Sequence, residues 1–176
     1  MSETARLRLS LALLALLAVV PAARAAAASP ADTVTAWFMR ACVRFAAHPT
    51  ALRRWAGTKH LAVAPDKQAQ TYLFGLPGAV FAIPAADGPL VLVSENSGSC
   101  SIIAPDVPGA VLLTQVNAAL TAAGIAFKIT RDAPDPKAPE LHDRAYAAHK
   151  GKDSWLMLVS TVTDPAGGEA ILTSSP

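Results

Sequence analysis

The chain has 176 residues, a formal net charge of +2 and two cysteines. Arg6, Arg8 and Arg24 against Glu3 account for that positive excess within residues 1–25, so the remainder is near neutral, which argues against a general nucleic-acid binder. About 150 residues follow, enough for one domain with a real core.

The first predicted element is a secretory signal peptide over 1–25. Arg6 and Arg8 form a basic region, Leu9 to Val20 is almost wholly Leu, Ala and Val, and Pro21 breaks the run before the small-x-small pattern Ala23-Arg24-Ala25. The run is shorter than the roughly 20 apolar residues of a membrane span, so cleavage after Ala25 and no transmembrane segment thereafter are expected. This places a single domain, 26–176, in the periplasm or outside the cell. No cysteine near the cleavage site offers lipid attachment, and Leu7 between the two arginines argues against the twin-arginine route.

Next comes a helix over "ADTVTAWFMRACVRFAAH". Val34, Trp37, Phe38, Ala41, Cys42 and Phe45 fall at helical spacing, and Asp32 or Thr33 can cap its start. "HPTALRRWAGTKH" predicts a short second helix with Pro49 in its first turn and Gly57 as its stop. "APDKQAQTYLFG" predicts a third, from Pro65 to Gly75.

The period then changes. "AVFAIP" and "LVLVS" predict two strands joined by Ala85-Ala86-Asp87-Gly88, and "CSIIAP" a third after the turn "ENSGS". Residues 105–124 return to helix, with Leu113, Val116, Leu120 and Ala123 on one face. "IAFKIT" alternates as a strand, and "RDAPDPKAPELHD" is a Pro-rich surface loop. "RAYAAHK", "SWLMLVSTV" and "EAILTSS" are three more strands, with turns at Gly151–Asp153 and Asp164–Gly168. The order ααα-βββ-α-ββββ predicts an α+β domain with a mainly antiparallel sheet of about six or seven strands and helices packed on one face. It fits a curved sheet with helices in its concavity as well as a flat two-layer sandwich.

The segments "FMRACVRF", "LPGAVFAI", "LVLVSENSGSCSII" and "WLMLVSTV…AILTSS" together resemble an uncharacterised family of small exported proteobacterial proteins, with one cysteine in the first helix and one before the third strand. The resemblance covers most of the chain after residue 25. That family carries no established activity, so the resemblance supports the layout and implies no catalytic residue.

Cys100 lies in "SGSCSII", a half-match to a nucleophile elbow that lacks the second glycine and is followed by a strand instead of a helix. Its one available partner is Cys42, and two cysteines exported together are expected to pair. His48, His60, His142 and His149 are isolated in the sequence, so no metal site is expected, and no phosphate loop or dinucleotide fingerprint suggests a cofactor. A spatial site from His142, Asp143 and His149 stays open, as does a triad using Ser99 or Ser101. Trp37, Trp55, Phe74, Phe81 and Trp155 are read as core. Charge is uneven: residues 32–67 hold Arg40, Arg44, Arg53, Arg54, Lys59 and Lys67 against Asp32 and Asp66. Arg40, Arg44, Arg53 and Arg54 are therefore the candidate contacts for an acidic protein or an anionic envelope surface. The expectation is an exported, non-enzymatic binding or accessory protein of unspecified oligomeric state. The alternative is an envelope hydrolase whose Ser, His and Asp groups are dispersed in sequence.

Overall fold

A computed structural model describes residues 28–164 and 168–176. The signal segment, its cleavage position and residues 165–167 of the last predicted turn lie outside the described residues.

Helix α1 (Pro30–Phe38) begins at Ser29, not at Asp32 or Thr33. Ser29 Oγ accepts from the Asp32 backbone N–H, and Asp32 Oδ2 accepts from the Ser29 N–H, a reciprocal capping box with Pro30 in the first turn. The helix runs into a π-helical turn (Met39–Val43), where the Arg44 N–H reaches back to the Met39 carbonyl. Of the apolar face read from the sequence, Val34, Phe38, Ala41 and Cys42 are buried and Trp37 and Phe45 half-buried, and Ala31 extends the buried stripe by one turn. Helix α2 (Pro49–Thr58) passes through Gly57 instead of stopping there; Lys59 caps it and His60 takes the left-handed conformation.

A two-residue strand β1 (Ala62–Val63) precedes helix α3 (Asp66–Leu73). Strands β2 (Gly78–Ile83), β3 (Leu90–Glu95) and β4 (Cys100–Val107) follow as a meander. Helix α4 (Gly109–Ala122) leads to β5 (Ala126–Pro134), β6 (Leu141–Lys150), β7 (Asp153–Val162) and β8 (Gly168–Ser175). The sheet is antiparallel throughout, in the order β1-β2-β3-β4-β8-β7-β6-β5. Two meanders thus meet at β4–β8, and α4 carries the chain from the middle of the sheet to its far edge.

The α+β class and antiparallel sheet are as expected, but three details differ. There are eight strands, because Ala62 and Val63 pair with Phe81 and Ala82. Strands β5 and β6 consume much of the Pro-rich loop: a bulge between Ile129 and Arg131 lets β5 continue to Pro134 opposite His142. The helices also do not share one face.

Alternation along the strands explains that last point. Leu92, Ile102, Leu172 and Val159 form one row across β3, β4, β8 and β7, all fully buried. Helices α1, α2 and α4 cover that side, and Phe38, Leu52, Leu112, Val116 and Leu120 fill it. Val80 and Val93 point the other way, and there α3 lays Ala69 and Leu73 on them. Of the aromatic residues read as core, Phe81 and Trp155 are buried and Trp37 and Trp55 are half-buried, meeting edge-to-face. Phe74 is a correction: it ends α3 with φ +50 and is 88% exposed.

Cys42 and Cys100 form a disulfide with Cα atoms 5.1 Å apart, well inside the bridging range. The turn in "SGSCSII" delivers Cys100 to the start of β4. Gly98 sits there at φ +99, and a side chain at that position would lie 3.2 Å from the Ala47 Cα in the α1–α2 connection. The two segments that carry the bridge are packed backbone to backbone beside it.

Candidate functional site

Both cysteine sulfurs are engaged in the bridge, and Cys42 and Cys100 are buried. A thiolate nucleophile is therefore absent from the "SGSC" segment.

Strand β6 decides the fate of the histidine readings. His142 and Asp143 are consecutive in a strand, so they face opposite sides of the sheet. On the helix-bearing side, His142 Nε2 lies 2.6 Å from Asp132 Oδ1, and Arg144 Nη2 donates to Asp132 Oδ2 at 2.8 Å. On the other side, Ser160 Oγ donates to Asp143 Oδ1 at 2.6 Å. The sheet separates the histidine–carboxylate pair from the serine–carboxylate pair, so these four groups do not assemble a triad. Ser99 and Ser101 bond instead to Ser175 and Thr173 on β8, as a hydroxyl ladder between neighbouring strands. Among the described residues, no group of three or more His, Cys, Asp or Glu side chains is placed to hold a metal ion.

The Asp132 cluster has an electrostatic consequence. The hydrogen bond from Arg144, then that from His142, holds the Asp132 carboxyl below its ordinary value, and the same contact raises Arg144. A carboxylate favoured in the folded state contributes stability that is fully present above the unfolded carboxylate pKa near 4 and is lost as pH falls through its lower folded value. Thermal unfolding scans between pH 6 and pH 2 are expected to show a decline beginning below about pH 4, shallower in Asp132→Asn. The pair is partly exposed, so its share is about 1 kcal/mol or less. Identical pH profiles for the two proteins would remove the assignment.

The four candidate arginines divide. Arg53 donates through Nη2 to the Ser94 carbonyl at 2.8 Å and to Asn96 Oδ1 at 2.6 Å, and through Nε to Ser94 Oγ at 3.3 Å. It fastens α2 to the end of β3, which takes it out of any shared exposed field. Arg40, Arg44 and Arg54 are exposed, and among the described residues no ion pair joins them to a carboxylate. Arg44 also lies over the Phe45 ring, 5.2 Å from its centroid.

Arg44 stands on the rim of a cleft of about 790 Å³. Three parts of the chain enclose it: the π-turn with the α1–α2 connection, the end of α4, and the β6–β7 hairpin. Met39, Val43, Ala123, Ile125 and Trp155 provide an apolar floor. Arg44, His48, Lys150 and Lys152 stand around it, with Asp153 the one carboxylate. Lys150 Nζ donates to the Ala123 carbonyl at 2.9 Å, closing the C-terminal end of α4 with a cation. Trp155 is buried, and its indole N–H finds no acceptor among the described residues. Arg54 flanks the same Ala47–His48 turn from a shallower depression beside the cleft.

Sequence reasoning picks out Arg44 here but passes over Lys150, Lys152 and His48. "HKGKDS" reads simply as a charged hairpin turn, and nothing local ties it to residues a hundred positions earlier. On the sheet face opposite α1, α2 and α4, Leu156 is 58% exposed and Leu158 is beside it, each opposite a half-buried alanine of β6. No helix among the described residues is long and apolar enough to cross a membrane. In comparisons with protein-family models, curated proteins and solved structures, the chain matches none.

Proposed function

We propose that the chain is an exported, disulfide-tied binding or accessory protein of the cell envelope that holds an anionic partner through the end of the domain where α1 meets α2. The observation that carries this reading is the gathering of Arg44, Lys150 and Lys152 around one cleft, with Arg54 on its flank and a single carboxylate among them. A disulfide fits an oxidising compartment, and the basic, then apolar, layout of residues 6–20 agrees with delivery there. The partner is an acidic protein face or an anionic envelope surface, since guanidinium forks suit carboxylate and phosphate groups.

The test is retention of envelope components by the immobilised protein at low and raised salt, beside Arg44→Glu/Arg54→Glu/Lys152→Glu, with anionic and neutral vesicles as a parallel arm. Exposed charges are screened over about 10 Å at 0.1 M salt, and three reversed contacts are expected to weaken binding roughly tenfold or more. Equal retention by the wild-type and charge-reversed proteins removes the reading.

A further inference from the structure

The cleft between the π-turn, the end of α4 and the β6–β7 hairpin is, we propose, a small-molecule site for a single-chain amphiphile with one anionic head group, an alkyl carboxylate or alkyl phosphate. The head group rests on the anion-binding reading above; the apolar body is new.

Three features lead there. The first is size with a two-toned lining. About 790 Å³ lies within the roughly 300–1,000 Å³ of small-molecule sites. Met39, Val43, Ile125 and Trp155 give the apolar part, and Arg44 and Lys152 give the charge. An inorganic anion makes no use of that floor, and a neutral hydrocarbon makes no use of those cations. A molecule with both parts uses both.

The second is the backbone of the wall. The π-helical turn Met39–Val43 ends α1, and two of its residues, Met39 and Val43, line the cleft. π-Helical turns are rare and occur frequently at functional sites. Ala47, in the same wall, holds φ +62, a sparsely populated conformation for a residue with a Cβ. Two backbone irregularities thus fall within one short stretch, on the cleft. Met39 is also a flexible, polarizable side chain suited to an alkyl chain of variable length.

The third is the charge count. Lys150 spends one of its N–H donors on the Ala123 carbonyl but keeps its charge, and Asp153 is the one carboxylate opposing the cations. Arg44, Lys150 and Lys152 against Asp153 leave a modest positive excess, matched to one anionic head group and not to a polyanion.

Calorimetry on the oxidised protein tests this with acetate, octanoate, decanoate, dodecanoate, dodecyl phosphate and dodecyltrimethylammonium, each below its micelle concentration. Dodecanoate and dodecyl phosphate are expected to bind, and acetate and the ammonium amphiphile are not. Affinity should rise about fourfold for each CH₂ added between octanoate and dodecanoate. Ala123→Trp, which fills the floor, and Lys152→Glu, on the exposed hairpin, should each weaken dodecanoate about tenfold or more. Lys152→Glu is a surface change in a turn, so it keeps the test sound if Ala123→Trp folds poorly by circular dichroism.

Several results overturn the inference. No dodecanoate binding at 1 mM, on the order of a very weak site, ends it. Acetate binding as tightly as dodecanoate ends the apolar part while the anionic reading stands. The ammonium amphiphile binding as tightly as dodecanoate ends both. Binding to anionic vesicles with none to the free amphiphiles assigns this end of the domain to a lipid surface and removes the small-molecule site.

Discussion

Replacing Cys42 and Cys100 together by alanine is expected to lower the melting temperature by roughly 8–16 °C. The bridge closes 58 residues of sequence. In the chain-entropy account, a loop of that length restricts the unfolded chain by about 4 kcal/mol. At about 2–4 °C per kcal/mol for a domain of this size, the range follows. The location adds to the effect, because the bridge joins the π-turn directly to β4, at the centre of the sheet. Calorimetric scans of the wild type with and without reductant, beside the double variant, check it. Reduced wild type and double variant should melt together, well below the oxidised protein. A shift under about 3 °C would show that the bridge adds little to contacts already sufficient.

Tyr146→Ala is expected to cost about 3–5 kcal/mol, whereas Tyr146→Phe costs about 1 kcal/mol. Tyr146 is fully buried on β6 beneath α4, its ring edge-to-face with Phe127 at 5.7 Å between centroids. Its hydroxyl donates to Asn117 Oδ1 at 3.0 Å. Truncation to alanine leaves a ring-sized cavity between helix and sheet, and packing at interior density makes such a void expensive. Truncation to phenylalanine removes only the hydroxyl, and Asn117 is half-buried, so solvent can replace the lost donor. Burial also raises the Tyr146 hydroxyl pKa, which keeps it a donor through neutral pH. Urea unfolding of both variants separates the two contributions. Equal losses would mean that the hydrogen bond, not the packing, fixes α4 on the sheet.

How far the sequence discloses this fold depends on which interaction sets each element. The long strands are legible because period-two alternation survives: "SWLMLVSTV" places Trp155, Met157, Val159 and Thr161 on one side, and those are the buried ones. The stripe ending in Cys42 is legible for the same reason at helical period. Strand β1 is not, since two residues carry no period and are held only by their pairing to β2. The π-turn is hidden because one widened turn leaves Phe38, Ala41 and Cys42 in plausible α-helical spacing. The side taken by α3 is a tertiary choice: Ala69 and Leu73 define an apolar face and say nothing of which sheet face receives it. Phe74 is misread as core because an aromatic after an apolar run usually is one. At the site, neighbouring Arg53 and Arg54 look alike in sequence. Only the position of Ser94 and Asn96 separates a structural guanidinium from an exposed one. The cleft itself is illegible, being assembled from residues 39–48, 123–125 and 150–155.

The seam between β4 and β8 sets an order of events in time. Cys100 lies opposite Ser174, so β4 must wait for the final strand in chain order before its second edge is satisfied. A chain emerging N-terminal end first presents β4 with one side paired to β3 and the other open, through the appearance of α4 and three further strands. Contacts of such large sequence separation are slow to close, and an open strand edge is a template for pairing with another molecule. Both cysteines are on hand much earlier than β8. Oxidation can therefore tether β4 to the helical half during the interval in which it is most exposed. On this account the bridge guards the nascent chain as well as the finished domain: reduced protein should yield more aggregate on refolding than oxidised protein even at temperatures where both native states are stable. Light scattering during dilution from urea, with and without reductant, follows that difference directly.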